Sequence, residues 1–324
     1  MQEIKYYQDI INEDLRDIHF PEKPADLYEP IQYLLSIGGK RIRSCLTLLS
    51  AEMFNCDISK ALPAAIAIEI FHNFSLMHDD IMDKAPLRRG KATVHEKWGT
   101  NTAILSGDFM LIQSYQSIAK NEPSVLPALM KIFNRTAGEV CIGQQLDMDF
   151  EKTENVTITD YIEMIRLKTA VLIGAALQMG AIVAKTDDRN ADLLYQYGEN
   201  LGIAFQLQDD FLDAFGNADT FGKQIGGDIL VNKKTFLLLK ALELAEEEDK
   251  VEISNWINNT ESNSSEKITA IVNIYKKLNI ERYIKQEMKR YTNKAFSALE
   301  EIQIDEKKKE PLQKLAKFLL IRTQ

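Results

Sequence analysis

The sequence predicts an all-α fold, formed as one large helical domain over residues 1–324. Apolar residues recur at spacings of three and four along most of the chain, which is the period of one helix face. No stretch alternates polar and apolar residues for long enough to indicate a sheet. The chain also holds only 15 Gly and 8 Pro among 324 residues, too few turn formers for many short strands joined by tight turns.

Breaks between the predicted helices fall where Pro, Gly, Asn and Ser cluster. In chain order they lie at 21–30, around residue 86, and at 121–127, 216–227 and 255–265. The apolar run 170–184 is shorter than the ~18 residues that span a bilayer, so it predicts a buried core helix. Asp187 and Asp188 lie in a polar stretch and indicate an exposed loop or a helix cap. The Lys-rich end, 307–322, predicts a terminal helix that docks through an apolar stripe of Leu312, Leu315, Phe318 and Leu319.

Charge and cysteine content exclude several classes of protein. The chain has 48 Asp and Glu against 39 Lys and Arg, a net charge of −9. This argues against nucleic acid as a partner, because sequence-independent binding needs a basic face. Three cysteines without C-x-x-C spacing suit a reducing compartment better than a disulfide framework. Since the first residues are polar and unlike a signal peptide, we expect a cytoplasmic protein without stable membrane insertion.

One acidic pattern, D-D-x-x-D, occurs twice: as Asp79, Asp80 and Asp83, and as Asp209, Asp210 and Asp213. Both copies end a strongly apolar helical run, where carboxylates cost free energy unless something positive pairs with them. Residues four apart share a helix face, so the first and last Asp of each copy point the same way. Two such faces brought together make an oxygen-rich pocket that suits Mg²⁺, which shares its ligands with substrate phosphates. One copy alone is explained equally well as a solvated helix end.

Basic residues near these clusters suit an anionic ligand. Gly38, Gly39, Lys40 and Arg43 lie where a helical run begins, and helix N-termini with cationic side chains bind anions. A helix C-cap followed by a solvated start explains that segment equally well. Arg88 and Arg89 follow the first cluster in a predicted loop, and Arg binds phosphate in a bidentate manner. Further basic residues follow at Lys168, Lys223 and Lys233.

Together these motifs resemble the trans-isoprenyl diphosphate synthases, also called polyprenyl synthetases. The order GGKRIR, DDIMD, RRG, GQQLD, KT and FQLQDDFLD covers nearly the whole chain. P-loop, dinucleotide-binding, nucleophile-elbow and zinc-protease motifs do not occur in the sequence. The resemblance implies a helical bundle of the isoprenoid-synthase type, in which two Asp-rich helices face each other across a central cavity, usually in a homodimer. It implies head-to-tail condensation of isopentenyl diphosphate with a C5–C15 allylic diphosphate, releasing pyrophosphate.

The resemblance also assigns roles to individual residues. The cofactor would be Mg²⁺, about three ions per site, held by Asp79, Asp83, Asp209 and Asp213, with Asp80 and Asp210 in support. Contacts with the allylic diphosphate fall to Arg88, Lys168, Thr169, Gln206, Lys223 and Lys233, with Gln144 and Asp147 of GQQLD near by. Contacts with isopentenyl diphosphate fall to Lys40, Arg43, His72 and Arg89. Within these sets, the residues expected to carry catalysis are Asp79, Asp80, Asp83, Arg88, Lys168, Asp209, Asp210 and Lys223. Ser44 stands where many members have Pro, and we expect a small effect because only the helix entry is touched.

Product length in this family follows the side chains below the first acidic cluster. Phe74 lies five residues and Phe71 eight residues before Asp79, position 75 is Ser, and nothing is inserted within D-D-x-x-D. This pattern resembles geranylgeranyl (C20) synthases more than farnesyl (C15) synthases. At 100° per residue Phe71 and Ser75 lie within ~80° of Asp79, whereas Phe74 is ~140° away. The role of Phe74 as a cavity floor therefore comes from the family, and ordinary helix packing remains an alternative.

Other functions stay open on the sequence alone. A longer-chain polyprenyl diphosphate synthase would be expected to have small residues at the floor positions. A class I terpene cyclase usually carries one D-D-x-x-D motif and a different second site. A non-catalytic partner subunit of a prenyl synthase usually lacks one or both motifs. An acidic scaffold that binds metal incidentally would leave the ordered basic residues unexplained.

Overall fold

The computed structural model describes residues 2–216, 225–259 and 263–320. Nearly all regular structure within these residues is helical, so the all-α prediction is confirmed. By its backbone contacts the chain forms two compact units. Unit 1 comprises Met1–Thr136, Leu172–Tyr195 and Ile302–Leu312, and unit 2 comprises Ala137–Val171, Gln196–Glu301 and Gln313–Gln324.

Unit 1 is built around one long helix, α4. The elements in order are α1 (Gln2–Arg16), α2 (Ala25–Ser36), α3 (Ile42–Met53), α4 (Ile58–Met82), β1 (Leu87–Arg88), β2 (Lys91–Ala92), α5 (Val94–Trp98) and α6 (Thr100–Ile118). Helix α4 packs against α3 and α6, and its middle is buried on all sides, as expected for a helix that is apolar all round. Asp57 caps its start by accepting the backbone N–H of Ser59. The first acidic cluster lies at the C-terminal end of this helix.

The chain continues with α7 (Leu126–Phe150), which begins in unit 1 and ends in unit 2. Unit 2 then contains α8 (Ile158–Ile165) and a π-helical turn (Arg166–Ala170), while α9 (Val171–Val183) belongs to unit 1 from Leu172. After α10 (Asp188–Phe215), the later elements are α11 (Gly227–Leu230), α12 (Phe236–Leu244), α13 (Glu247–Asn258), α14 (Ser264–Lys277), α15 (Ile280–Glu301) and α16 (Glu306–Leu320). The core of unit 2 forms where α12 packs against α8, α14 and α15.

Two sequence expectations about helices are tested directly. The apolar run at 170–184 is the buried helix α9, as predicted. Among the described residues, Ile158–Val183 is the stretch long and apolar enough to cross a membrane, and 72% of its most apolar window is buried inside the protein, which is equally typical of a core helix. The terminal helix is confirmed as α16, with Leu312, Leu315 and Leu319 buried. Phe318 is 38% exposed, so the apolar stripe is narrower than predicted.

Candidate active site

The first acidic cluster lies at the end of α4, where Arg88 holds it. Arg88 Nε donates to both carboxylate oxygens of Asp80, at 2.9 and 2.8 Å, and its Nη2 lies 3.6 Å from Asp79 Oδ2. Burial raises the pKa of the Asp80 carboxyl, while the Arg88 guanidinium opposes that rise. Asp79 is partly exposed and Asp83 is exposed. Asp80 therefore anchors Arg88, and Asp79 and Asp83 reach solvent.

A two-residue hairpin turn aims Arg88 at this cluster. Arg88 pairs with Lys91 across the hairpin, and the two turn residues, Arg89 and Gly90, have φ of 52° and 73°. Positive φ at both positions is the type I′ turn, whose twist matches that of the strands. The sequence predicted a loop after Pro86; the strands are too short to give a periodic signal.

The residues that the resemblance assigns to isopentenyl diphosphate lie together in unit 1. Arg43 Nη1 lies 3.2 Å from His72 Nε2. The guanidinium of Arg89 packs against Gly39, where an added Cβ would lie 2.7 Å from Nη1. Lys40 follows in the same loop and is exposed. Any side chain at position 39 would therefore displace Arg89, which explains the second glycine of the motif.

This group of side chains is strongly cationic. Burial, together with Arg43, Arg89 and neighbouring arginines, holds the pKa of His72 well below its usual value, so the imidazole is neutral near pH 7. Burial likewise lowers the pKa of Arg43 and of Arg89. Arg43 Nε is buried and has no hydrogen-bond partner within the described parts of the chain. Clustered cations with an unsatisfied buried donor suit an anion.

A buried ion pair that sequence reasoning missed fixes the same loop. Arg41 Nη1 lies 2.8 Å from Glu69 Oε1, and their side chains are 2% and 4% exposed. Glu69 also accepts hydrogen bonds from Ser44 Oγ at 2.7 Å and Asn73 Nδ2 at 3.2 Å. The effect of Ser44 is therefore not limited to the start of the helix, because its hydroxyl supplies a hydrogen bond that a proline would lack. The available signal was a glutamate inside an apolar helix, three residues before His72 and so on its face.

In unit 2 the second acidic cluster has its own buried member. Asp210 is 4% exposed; it accepts hydrogen bonds from the Tyr161 hydroxyl and from Gln206 Nε2, the latter at 3.2 Å. Burial, with Asp228 near by, raises the pKa of Asp210 to about 8. Asp209 is partly exposed on the same helix. Neither Tyr161 nor Asp228 was identified from the sequence, because both lie outside the acidic motif.

Asp213, the last residue of that cluster, contacts backbone. Its Oδ1 accepts from the N–H of Gly227 at 3.2 Å and its Oδ2 from the N–H of Asp228 at 3.1 Å. These are orphan donors of the first turn of α11. The role of Asp213 as a metal ligand stays a prediction, whereas its contact with α11 is a feature of the structure.

The GQQLD and KT motifs meet where α7 contacts the π-helical turn. An added Cβ at Gly143 would lie 2.2 Å from the backbone N of Lys168, so only glycine allows this approach. Lys168 Nζ donates to Asp147 Oδ2 at 2.6 Å, and Lys233 Nζ lies 3.7 Å from the same oxygen. Burial acts to raise the pKa of Asp147, but the two lysines hold it below its usual value. The buried Nε2 of Gln144 has no hydrogen-bond partner within the described residues.

Thr169 and Gln206, two further residues predicted to bind the allylic diphosphate, contact each other. Thr169 Oγ1 lies 3.4 Å from Gln206 Oε1, which links the π-helical turn to the second acidic cluster. Lys223 lies outside the described residues. Lys234, the neighbour of Lys233, donates to the carbonyl oxygens of Phe150 and Thr153 and so caps the end of α7.

Comparison with known proteins identifies the family. The sequence profile of the polyprenyl synthetase family matches residues 24–275. The chain belongs to this family. A crystal structure of a geranylgeranyl pyrophosphate synthase superposes on this polyprenyl synthetase with a TM-score of 0.94, at 45% identity and 99% coverage of both chains. The geranylgeranyl diphosphate synthase of Saccharolobus solfataricus is 35% identical over 98% of this chain and 97% of that relative. The geranylfarnesyl diphosphate synthase of Natronomonas pharaonis is 39% identical over 72% and 74%.

The protein is therefore an enzyme, a trans-prenyltransferase with the all-α isoprenoid-synthase fold. Polyprenyl synthetases use Mg²⁺. Within residues 2–216, 225–259 and 263–320, no three His, Cys, Asp or Glu side chains are grouped to hold a metal ion by themselves. Mg²⁺ usually binds one or two carboxylates and completes its shell with waters and substrate phosphates. Such a metal needs few carboxylates from the protein, and in unit 1 the neighbouring carboxylates of Asp79 and Asp83 are of the kind that it binds.

The residues expected to control product length belong to an aromatic cluster in unit 1. The ring of Phe71 lies 5.5 Å from that of Phe74 and 5.3 Å from that of Phe133. Phe71 is 1% and Phe74 9% exposed, so Phe71 is the inner member. Ser75 Oγ donates to the carbonyl oxygen of His72. Their role in chain length stays a prediction.

Proposed function

We propose that this polyprenyl synthetase condenses isopentenyl diphosphate head to tail with an allylic diphosphate in the presence of Mg²⁺. The observation that carries the proposal is the cationic group of unit 1, in which Arg43, His72 and Arg89 lie together with a buried unsatisfied donor. It forms beside acidic side chains that suit a metal, so one substrate can bind through cations alone and the other through Mg²⁺.

Isopentenyl diphosphate is held, in this proposal, by the loop of Lys40 together with Arg43, His72 and Arg89. The neutral imidazole of His72 donates a hydrogen bond without adding to the repulsion among the arginines. Arg43 offers its Nε and Nη groups to phosphate oxygens in a planar fork. Glu69 acts on this subsite through Arg41, by fixing the loop that carries Lys40.

The allylic diphosphate is held by Arg88, Lys168, Thr169, Gln206, Lys223 and Lys233, with Asp79, Asp83 and Asp209 as metal ligands. About three Mg²⁺ ions belong to this proposal, and when bound they would neutralise charge on the departing diphosphate. Asp147 contacts both Lys168 and Lys233 and so orients their ammonium groups toward one place. Gln144 adds an amide donor there.

The reaction needs no protein nucleophile. The C–O bond of the allylic substrate breaks and its electron pair leaves with the diphosphate. The double bond of isopentenyl diphosphate forms the new C–C bond, and a proton is lost, for which the released pyrophosphate is the base. The protein residues hold both diphosphates so that the reacting carbons meet, and they keep water out.

We propose geranylgeranyl diphosphate (C20) as the product. Phe74 and Phe71 are large side chains close to the first acidic cluster, which favours a short cavity. The geranylgeranyl synthases among the relatives support C20, and the geranylfarnesyl synthase makes C25 the second candidate.

We also propose that the enzyme is a cytoplasmic homodimer. Helix α6 exposes Ile104, Leu105 and Ile112, with 40%, 60% and 54% of each side chain accessible. Leu105 and Ile112 are seven residues apart and so share one face of the helix. An exposed apolar face of this kind is typical of a protein interface.

One assay tests the reaction and the product. Purified enzyme is incubated with Mg²⁺, radiolabelled isopentenyl diphosphate and each of the C5, C10 and C15 allylic diphosphates, and the dephosphorylated products are separated by chromatography. We expect label in a C20 product with all three primers. Asp79→Ala is the matched inactive control. If no prenyl product contains label, the proposal is refuted. That is the result expected of a terpene cyclase, which does not incorporate isopentenyl diphosphate.

A further inference from the structure

A buried lysine outside every motif lies behind the loop that carries Lys233. Lys267 is on α14 and is only 6% exposed. Its Nζ donates to Asn232 Oδ1 at 2.7 Å and to the carbonyl oxygen of Leu230 at 3.3 Å. No carboxylate pairs with it among the described residues, and burial lowers the pKa of its ammonium group. A buried ammonium without an ion pair costs free energy, so its presence here indicates a role for its hydrogen bonds.

That role concerns the conformation of the chain where α11 ends. Helix α11 ends in a Schellman motif, in which Asn232 N–H donates to Ile229 O at 3.2 Å and Lys233 N–H donates to Asp228 O at 2.9 Å. Asn232 occupies the left-handed position of the motif, with φ 56°. The direction in which Lys233 leaves the helix is therefore set by the conformation of Asn232.

Lys267 secures this conformation from two sides. It satisfies the Leu230 carbonyl, one of the last-turn acceptors that lack a partner inside the helix. It also binds the side chain of Asn232, whose Nδ2 donates to the carbonyl oxygen of Ile257 at 3.1 Å. Lys267 also lines a small cavity together with Asp213, Asp228 and Lys233. It therefore lies next to the lysine that it is proposed to position.

We propose that Lys267 is a positioning residue for the allylic diphosphate, acting through Asn232 on Lys233. This inference rests on the proposed function, in which Lys233 binds that diphosphate. With Lys267 in place, the Lys233 ammonium is held 3.7 Å from Asp147. Without it, Asn232 can leave the left-handed conformation and Lys233 can turn away from the site.

Binding of inorganic pyrophosphate in the presence of Mg²⁺, measured by calorimetry, tests this without turnover. Lys267→Met keeps the apolar stem and removes the donor, and we expect about tenfold weaker binding. Lys277→Met is the matched control on the same helix, since Lys277 pairs with Asp249 and its side chain is 63% exposed. It should bind pyrophosphate like the wild type. If Lys267→Met does not fold, Asn232→Gly tests the same link, because glycine tolerates the positive φ but is no longer held in it by the hydrogen bond from Lys267. We expect this variant also to bind pyrophosphate more weakly, and unchanged binding would overturn the inference.

Coupling to Lys233 separates positioning from a general loss of structure. In a Lys233→Ala background, Lys267→Met should weaken pyrophosphate binding by less than twofold, because its effect passes through Lys233. In steady-state assays Lys267→Met should raise KM for the allylic diphosphate and leave KM for isopentenyl diphosphate unchanged. Additive losses, or equal changes in both KM values, would overturn the inference. The two proposals can fail separately. If the variants show coupling between Lys267 and Lys233 in pyrophosphate binding, but the wild type makes no prenyl product, only the proposed function is refuted.

Discussion

Ser44 is a single residue whose contribution to stability the structure makes measurable. Its hydroxyl completes the hydrogen bonding of Glu69, a carboxylate buried with Arg41. We expect Ser44→Ala to lower the free energy of unfolding by about 1–3 kcal/mol, because a buried acceptor is left unsatisfied. Ser36→Ala is the control, since that hydroxyl bonds only to a local carbonyl at an exposed site. Urea denaturation of both variants checks this, and equal midpoints would show that Ser44 does not support Glu69.

His72 gives a prediction about pH at the same scale. The pKa of His72 is lower in the folded protein than the usual ~6.5, so below about pH 6.5 the unfolded chain binds a proton that the folded protein does not. Stability must then fall as pH decreases from about 6.5 toward the folded pKa. We expect His72→Asn to lose this part of the dependence, so that the difference in unfolding free energy between variant and wild type shifts in favour of the variant at acid pH. Parallel curves between pH 7.5 and 5 in urea denaturation would contradict the assignment.

Helix α4 is the element on which product length is expected to depend. Because the Phe71 ring contacts those of both Phe74 and Phe133, removing Phe74 alone leaves the Phe71 ring in place. We expect Phe71→Ala with Phe74→Ala to lengthen the product beyond C20, as read by chromatography of dephosphorylated prenols. Phe109→Ala is the control, since its ring contacts those of Phe20 and Tyr28. A double variant with unchanged product length would leave Phe71 and Phe74 as ordinary core.

Elements differ in how well the sequence predicts them, and the reason is physical. The long helices α4 and α10 repeat their apolar pattern many times, and Asp187 at the start of α10 caps it as expected, accepting the N–H of Asn190. The π-helical turn at 166–170 has no local signal in the sequence, and it lies where Gly143 of α7 approaches the backbone of Lys168. The acidic motifs were visible in sequence, and Glu69 had a weak signal as a carboxylate in an apolar helix. The roles of Tyr161 and Lys267 had none, since each acts through a tertiary contact.

At the scale of the whole molecule, the net charge of −9 conceals a local separation of charge. Read alone, it argues against any anionic ligand. In unit 1, however, Arg43, Arg88 and Arg89 are concentrated near His72, and in unit 2 Lys168 and Lys233 share Asp147. Binding depends on the field near the ligand, which screening limits to about 8–10 Å in physiological salt. An acidic protein can thus bind two diphosphates.

The exposed face of α6 gives the last prediction, on oligomeric state. Burying a Leu or Ile side chain is worth about 1.5–3 kcal/mol, and a two-fold interface buries each residue twice. We therefore expect the wild type to have twice the chain mass of 36.9 kDa in light scattering after size exclusion. Leu105→Glu with Ile112→Glu should shift it to the chain mass, since four carboxylates would face a closed apolar surface. Val251→Glu, at a residue of similar exposure on α13, should leave the mass unchanged. A double variant that remains dimeric would place the interface on another surface.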